Sequence, residues 1–262
     1  MTGHPAYGQL RAVLPVASVL LEDNPGPMTL DGTNTWLLRA PGVAESVVVD
    51  PGHLDEPHLA RIAAAGPVAA ILLTHAHGDH ADGAPWLAER TGAPVRAFAP
   101  NLCRDAAPLV DGEVLQLAGG VDVAVLHTPG HTDDSVCLRV SYGGGTAVLT
   151  GDSVLGRGTT IIMGDLGDYL GSLRRLADLP AGVPALPGHG PELPDTAAIA
   201  AEYLAHREAR LDQIRAALTQ LGPNPTPRQV VEIVYAEVDP TLWPAAEESV
   251  HAQLAYLTHK AP

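Results

Sequence analysis

The sequence predicts an α/β (α+β) fold in which sheets are covered by helices, followed by a small helical subdomain. Short β-type runs dominate the first half of the chain, and only some of them lead into a helical pattern, which favours mixed sheets over an all-parallel barrel. The pattern changes near Pro194, after which no strand signal appears. We therefore expect one domain over residues 1–195 and a helical subdomain over residues 196–262.

The predicted elements of the first domain are apolar runs and amphipathic segments bounded by Pro, Gly and acidic residues. The predicted strands are Arg11–Leu21, Thr35–Leu38, Ser46–Asp50, Ala69–Thr74, Pro94–Phe98, Val114–Leu117, Val121–His127, Val136–Val140 and Ala147–Thr150. The predicted helices are Asp55–Ala65, Asp79–Arg90 and Asp168–Leu179.

The tail reads as three helices. Apolar residues at helical spacing predict one long helix over Thr196–Leu221, and the run Gly222–Pro225 breaks it. Thr226 is placed to cap a second helix, Pro227–Glu237, which begins with proline in its first turn. The third predicted helix is Trp243–Leu257.

The chain is strongly acidic, with 30 Asp and Glu against 15 Lys and Arg and a formal net charge of −15 over 262 residues. Such a surface repels polyanions at long range, which argues against a general nucleic-acid binder. A local basic groove or bound metal ions could still hold a phosphate. We interpret the acidic balance chiefly as a solubilising surface.

Compartment signals are weak. Cys103 and Cys137 are far apart and form no disulfide framework. Met1–Leu10 lacks a basic segment followed by an apolar one, so we expect no signal peptide. No apolar run approaches the ~20 residues of a membrane span. The expected location is the cytoplasm, with no membrane and no protein partner indicated and an oligomer left open.

The strongest chemical signal is a cluster of ligand-type residues that follows an apolar strand. His75 and His77 alternate along an extended segment and can point to one side, and a turn at Gly78 brings Asp79 and His80 toward a second nearby point. Imidazole and carboxylate ligands suit zinc and related divalent ions. Three histidines and one aspartate would be costly to bury without such a partner. We therefore predict a metal site here.

Three further ligand-type residues occupy equivalent positions, each in a glycine-containing turn after an apolar strand. His131 lies in a Pro-Gly-His turn, Asp152 follows Gly151, and His189 lies in a Pro-Gly-His-Gly turn. Glycine permits the backbone bends that bring a ligand inward. These residues are the expected remaining ligands.

The order H-x-H-x-D-H, PGH, GD and PGHG resembles the metallo-β-lactamase superfamily. The resemblance implies a metallo-β-lactamase αββα sandwich with a site for two divalent metal ions at one edge. It implies His75, His77 and His131 for the first ion, Asp79, His80 and His189 for the second, and Asp152 as the bridge between them. A metal-bridging hydroxide would be the nucleophile, with Asp79 and Asp152 as the catalytic carboxylates. Zinc is the expected metal, and carboxylate ligands also suit manganese or iron.

A narrower resemblance spans nearly the whole chain. The segments Asp31–Trp36, Gly130–Ser135, Gly151–Thr160 and Tyr203–Arg207 are similar to the lactamase-beta-like branch, which includes endoribonucleases and carries a C-terminal winged-helix-like region. In that branch the last helix commonly leads into a basic β-wing. Here the chain stops at Pro262, so we expect the wing, and any nucleic-acid contact through it, to be missing.

Two functional hypotheses follow from the resemblance. The first is a phosphodiesterase or endoribonuclease that acts on single-stranded RNA. The alternative is a thioesterase or another hydrolase of small esters, glyoxalase-II-like, although such members typically carry a third histidine at the position of Ala76. An antibiotic β-lactamase and a non-enzymatic module are less favoured.

The substrate, a small molecule or RNA, would be contacted by residues near the predicted site. The candidate substrate residues are Arg157, Thr159, Thr160, His206 and Arg207. Asp133 and Asp134 follow His131 closely and could orient a ligand histidine by hydrogen bond, while an ordinary turn role is the favoured interpretation for at least one of them.

Overall fold

The computed structural model describes residues 4–222 and 224–259. A six-stranded sheet comes first and keeps its strands in chain order, with β1 to β4 antiparallel and β4, β5 and β6 parallel. Its strands are β1 (Leu10–Leu14), β2 (Ala17–Leu21), β3 (Asn34–Leu38), β4 (Ser46–Val49), β5 (Val68–Leu72) and β6 (Val95–Arg96).

A five-stranded sheet follows, in the order β11-β10-β9-β8-β7. Its neighbours pair antiparallel except β10 and β11, which are parallel. Its strands are β7 (Val114–Leu117), β8 (Val121–His127), β9 (Val136–Tyr142), β10 (Gly145–Gly151) and β11 (Ala185–Pro187).

Helices cover the outer faces of both sheets and form the tail. They are α1 (Glu56–Ala64), α2 (Gly78–Ala81), α3 (Ala84–Thr91), α4 (Leu166–Ala177), α5 (Thr196–Leu221), α6 (Pro227–Val234) and α7 (Trp243–His259). No helix of the described residues is long and apolar enough to cross a membrane.

The layers follow from strand periodicity, because alternate residues of a buried strand face opposite sides. In β3, Trp36 and Leu38 enter the core between the sheets, while Leu37 faces the helices α1 and α3. The second sheet is covered on its outer face by α4 and by α5 as far as Leu211. Tyr203 and Leu211 of α5 share one apolar cluster with α4. The predicted αββα sandwich is confirmed.

The part of α5 that follows Leu211 belongs to a different cluster. Ile214 packs there with Val230 and Val231 of α6 and with Val250 of α7. In residues 196–222 and 224–259 the structure contains helices and no strand, which confirms the predicted helical tail. The helix α5 therefore takes part in both the sandwich and the tail.

Two predicted elements were wrong in their continuity. The run Arg11–Leu21, predicted as one strand, is a hairpin of β1 and β2 that turns at Pro15, where a ladder donor is missing. The helix predicted over Asp79–Arg90 divides at Gly83 into α2 and α3. The amide of Gly83 donates to the carbonyl of Gly52 at 2.8 Å, so a tertiary contact replaces a helical bond.

Candidate metal centre

The ligand-type residues meet at one edge of the sandwich because each lies just after the carboxyl end of a strand. His75 to His80 follow β5 in the first sheet, while His131, Asp152 and His189 follow β8, β10 and β11 in the second. The two sheets face each other, so these ends approach one another across the sandwich. Six of the residues nominated from sequence are brought together in two triads, and the seventh, Asp152, lies between them.

The first triad is His75, His77 and His131. Nδ1 of His77 lies 3.0 Å from Nε2 of His75 and 3.0 Å from Nε2 of His131. Three ring nitrogens from three rings thus converge on one small region. A divalent cation of the zinc type accepts such a set of imidazole ligands.

The second triad is Asp79, His80 and His189. Nε2 of His189 lies 3.1 Å from Oδ2 of Asp79 and 3.2 Å from Nε2 of His80, and Nε2 of His80 lies 3.7 Å from the same carboxylate oxygen. All three side chains are buried or partly buried. The mixture of one carboxylate and two imidazoles also suits a divalent ion.

Asp152 lies between the triads. Its Oδ2 is 3.7 Å from Nε2 of His131 and 3.5 Å from Nε2 of His189, and its Oδ1 is 3.5 Å from Nε2 of His80. Oδ1 is buried and has no hydrogen-bond partner. A buried carboxylate oxygen without a partner is unfavourable unless a cation satisfies it. The donor set, with Asp152 between the two triads, therefore fits two metal ions.

Hydrogen bonds on the far side of the rings orient three of the histidines. Nδ1 of His131 donates to the carbonyl of Ile161 at 2.8 Å, and Nδ1 of His189 donates to the carbonyl of Gly32 at 3.1 Å. Nδ1 of His80 lies 2.9 Å from a carboxylate oxygen of Asp50. Each bond occupies Nδ1, so Nε2 faces the cluster and is the nitrogen that a metal ion can take as a ligand.

Asp133 and Asp134 do not supply these bonds. Oδ1 of Asp134 accepts from the hydroxyl of Thr132 at 2.7 Å, and the backbone carbonyl of Asp133 contacts His127. The idea that one of them orients His131 was wrong. The backbone carbonyl of Ile161 orients His131 instead. A contact to a backbone atom cannot be recognised from the residue type.

Asp50 is the residue that sequence reasoning missed. It follows β4 with a left-handed backbone (φ 52°), and its carboxylate accepts from the amide of Thr74 at 2.8 Å and from the Thr74 hydroxyl at 2.7 Å. Asp-Pro-Gly at a strand end looks like an ordinary turn. The available signal was an acidic residue directly after a fully buried strand, at the same sheet edge as the histidines.

The pKa values of three ligand-type residues are shifted by burial and by the charges that this geometry brings together. Burial lowers the pKa of His80, but the carboxylates of Asp152, Asp50 and Asp79 outweigh burial and raise that pKa to about 10. Burial and the neighbouring imidazoles hold the pKa of His75 well below its usual value. Burial raises the pKa of Asp79, yet His189 and His80 outweigh it and leave the pKa below its usual range. The excess of carboxylates around His80 favours cations.

Close approach of backbone shapes the site at Gly188. A Cβ there would lie 2.7 Å from Oδ1 of Asp152 and 2.7 Å from Cε1 of His80. The amide of Gly188 also donates to the carbonyl of Gly151 at 2.9 Å, which fixes the two ligand-bearing turns together. Only glycine fits between the Asp152 carboxylate and the His80 imidazole.

The candidate substrate residues lie in different environments. Arg157 is exposed and makes two hydrogen bonds with Asp31, at 2.6 and 2.9 Å, while Thr159 and His206 are exposed. Thr160 and Arg207 are buried, and the guanidinium of Arg207 donates to the carbonyl of Thr160. A substrate contact stays a prediction for this group.

Comparison with known proteins matches this architecture. A family model described as "Metallo-beta-lactamase superfamily" matches residues 28–189, and one described as "Beta-lactamase associated winged helix domain" matches residues 226–259. The chain belongs to the metallo-beta-lactamase superfamily. The superfamily match spans all seven ligand-type residues, and the second match places α6 and α7 in a winged helix region. The chain is a metal-dependent hydrolase of this superfamily with a His-rich metal site.

Among curated relatives, the chain is 34% identical over 260 residues to "Beta-lactamase-like protein 2 homolog" of Drosophila melanogaster, covering 91% of this chain and 86% of that protein. It is 34% identical over 224 residues to "Atrochrysone carboxyl ACP thioesterase" of Aspergillus chevalieri, covering 82% of this chain and 70% of that one.

Solved structures share the fold. A family protein from Thermus thermophilus superposes with a TM-score of 0.76 at 26% identity, covering 95% of both chains. TTHA1623, solved in a di-iron-bound form, superposes with a TM-score of 0.53 at 29% identity, covering 73% of this chain and 98% of that one.

Proposed function

We propose that this metal-dependent hydrolase cleaves thioesters. The observation that carries the substrate class is the charge around the site. Arg157 is engaged by Asp31, and Arg207 is buried against a backbone carbonyl, so neither of the arginines nominated near the site is free to bind phosphate. With a net charge of −15, the chain suits an acyl group better than a polyanion.

Apolar surface beside the ligands supports the same substrate class. The amide of Met163 donates to the carbonyl of His131 at 3.1 Å, and the Met163 side chain is 61% exposed. A flexible thioether at this place can pack against acyl groups of varied shape. One similar protein bears the name of a thioesterase, at 34% identity over 82% of this chain.

The proposed cofactors are two divalent metal ions, one in each triad. Zinc is the first expectation for these ligands, and iron or manganese suits the two carboxylates. When bound, the ions would polarise the thioester carbonyl and lower the pKa of water toward neutrality. Metal analysis of purified protein measures their number and identity.

The chain's own residues would set up the reaction in three ways. Asp152 would keep the two triads at a fixed spacing, since its Oδ2 lies close to both His131 of the first triad and His189 of the second. Asp79 would hold the attacking water by hydrogen bond through the oxygen that is not used as a ligand. The imidazoles, oriented by Ile161, Gly32 and Asp50, would keep the ligand nitrogens aimed at the site.

Cleavage of single-stranded RNA is the competing hypothesis. The same triads could act on a phosphodiester, since two-metal sites stabilise phosphoryl transfer as well as acyl transfer. The RNA hypothesis is weaker because Arg157 is paired with Asp31 and Arg207 is buried against a backbone carbonyl, which leaves neither side chain free to bind a phosphate. A productive RNA complex would require the Arg157–Asp31 pair to open.

The experiment compares both substrate classes on one preparation. Acyl thioesters of coenzyme A and of N-acetylcysteamine, with chains from acetyl to decanoyl, are assayed by thiol release beside labelled single-stranded RNA. Each assay is repeated after chelation and after return of zinc, iron or manganese. We expect metal-dependent thioester hydrolysis. RNA cleavage without thioester hydrolysis, in any metal form, would overturn the proposal.

A further inference from the structure

We propose that Arg207 of α5 is a positioning residue for the metal ligand His131. It would act through the loop 155–164, which carries the carbonyl that accepts from the His131 ring. The helix α5 would thereby help to set the geometry of the first triad. This inference rests on the proposed metal centre and is independent of the bond that the enzyme cleaves.

Two side chains of α5 bind the loop 155–164 from one side. The hydroxyl of Tyr203 donates to the carbonyl of Gly158 at 2.7 Å and accepts from the amide of Leu155 at 3.3 Å. One helical turn later, the guanidinium of Arg207 donates to the carbonyl of Thr160. Residues four apart lie on the same face of a helix, so Tyr203 and Arg207 form these hydrogen bonds from one surface of α5.

The same loop binds the ligand turn from its other side. The carbonyl of Ile161 accepts from Nδ1 of His131 at 2.8 Å, and the hydroxyl of Thr160 lies 3.2 Å from that nitrogen. The amide of Met163 donates to the His131 carbonyl at 3.1 Å, and that of Gly164 to the Gly130 carbonyl at 3.0 Å. The Arg207 anchor is thus one residue away from the carbonyl that orients His131.

The guanidinium of Arg207 is buried without a carboxylate partner among the described residues. The residue is 3% exposed, and no carboxylate among the described residues forms an ion pair with it. Its charge lies 5.5 Å from the ring centroid of Tyr169, while its Nε has no partner. A buried unpaired cation is expensive, so an apolar residue would be favoured here if packing were its only role.

Tyr169 packs beneath the turn that carries His131. A Cβ on Gly130 would lie 2.2 Å from Cβ of Tyr169, so this ring packs directly under the residue before His131. The Tyr169 hydroxyl donates to the carbonyl of Ser153, next to Asp152, at 2.9 Å. Arg207 therefore packs on a side chain that contacts both the His131 turn and the Asp152 turn.

The test measures metal binding. Cobalt(II) is titrated into metal-free Arg207→Met, Arg207→Lys and wild-type protein, and the two binding steps are followed by visible absorbance. His131→Ala identifies the step that belongs to the first triad. Arg215→Met, an exposed arginine on the same helix, is the matched control. We expect Arg207→Met to weaken the first-triad step by about tenfold, the scale for groups that orient ligands, with Arg207→Lys between it and wild type.

Several outcomes decide the inference. Two cobalt steps of wild-type strength in folded Arg207→Met would overturn it, as would a raised thioester KM with unchanged metal binding, which would mark Arg207 as a substrate contact. If Arg207→Met does not fold, Tyr203→Phe removes the neighbouring anchor, and unchanged cobalt binding in that variant is equally contrary. A first-triad step weakened in a protein that cleaves no thioester would support the inference while the proposed substrate fails.

Discussion

The carboxylate of Asp50 lies 2.9 Å from Nδ1 of His80, and both side chains are buried. The other Asp50 oxygen accepts from the backbone amide of Thr74, the residue before the first ligand histidine. One carboxylate thus fixes the ring of one ligand and the backbone beside another. It connects the two triads without belonging to either.

Asp50→Asn is expected to weaken metal binding by about 10- to 100-fold, the cost of altering a group that orients a ligand. Asparagine tolerates the left-handed backbone at this position, so the effect should come from the lost charge and not from strain. Calorimetric titration with zinc measures it. Asp178→Asn, an exposed aspartate, should bind zinc as wild type does. Equal affinities in the two variants would contradict the role of Asp50.

His77→Ala is expected to abolish hydrolysis of every substrate, because its Nδ1 lies at the centre of the first triad. Metal analysis should show the loss of one ion per chain. His251→Ala, an exposed histidine of α7, serves as the control and should keep full activity. An active His77→Ala enzyme would refute a mechanism that uses two ions.

Gly188→Ala is expected to lower kcat at least 100-fold, since a methyl group at this position meets Asp152 and His80 at 2.7 Å. The matched control is Gly171→Ala in α4, where a Cβ meets nothing within 4 Å. Alanine should there raise helix stability by about 0.5–1 kcal/mol and leave kcat unchanged. Comparable kcat values for both variants would show that the gap at Gly188 is not needed.

Met163→Gln is expected to raise KM for long-chain thioesters while sparing acetyl thioesters, because the lost apolar surface matters only when the acyl group reaches it. Steady-state kinetics across the chain-length series measure the difference. Val114→Gln replaces another exposed apolar residue, on β7, and should leave the series unchanged. The same KM shift for acetyl and decanoyl substrates would exclude acyl recognition by Met163.

Stability should depend on pH through His58. Burial lowers the pKa of His58 to about 4; Asp55 opposes this shift and Arg61 adds to it. A neutral His58 therefore stabilises the fold fully above the unfolded pKa of about 6.5, and this contribution is lost as the pH falls toward 4. The loss at pH 5 amounts to roughly 2 kcal/mol.

Urea unfolding of metal-free protein at pH 7.5 and pH 5 tests this dependence against His58→Gln. Glutamine can still donate to the Thr35 hydroxyl, which lies 2.9 Å from Nε2 of His58, but it does not titrate. The difference in unfolding free energy between the two proteins should shrink or reverse at pH 5. A difference that does not change with pH would show that His58 is not the titrating group.

The seven candidate ligands could be brought forward from the sequence because each combines a ligand-type side chain with a glycine-bearing turn after an apolar strand. Arg207 could not be assigned in the same way. Helical spacing put Tyr203, Leu211 and Ile214 inside, and all three are buried, but a charged residue on that face was interpreted as substrate-facing. Buried arginines are rare, and only the three-dimensional contact with Thr160 identifies its partner.

The shared membership of α5 in two apolar clusters has a consequence for any attempt to divide the chain. A fragment ending at residue 195 would uncover the face of α4 that packs on Tyr203 and Leu211, and would leave apolar surface open to aggregation. The boundary between the two apolar clusters therefore lies within α5 and not in a loop. Exchange of the tail between relatives, by recombination or by design, would need its junction after Leu211.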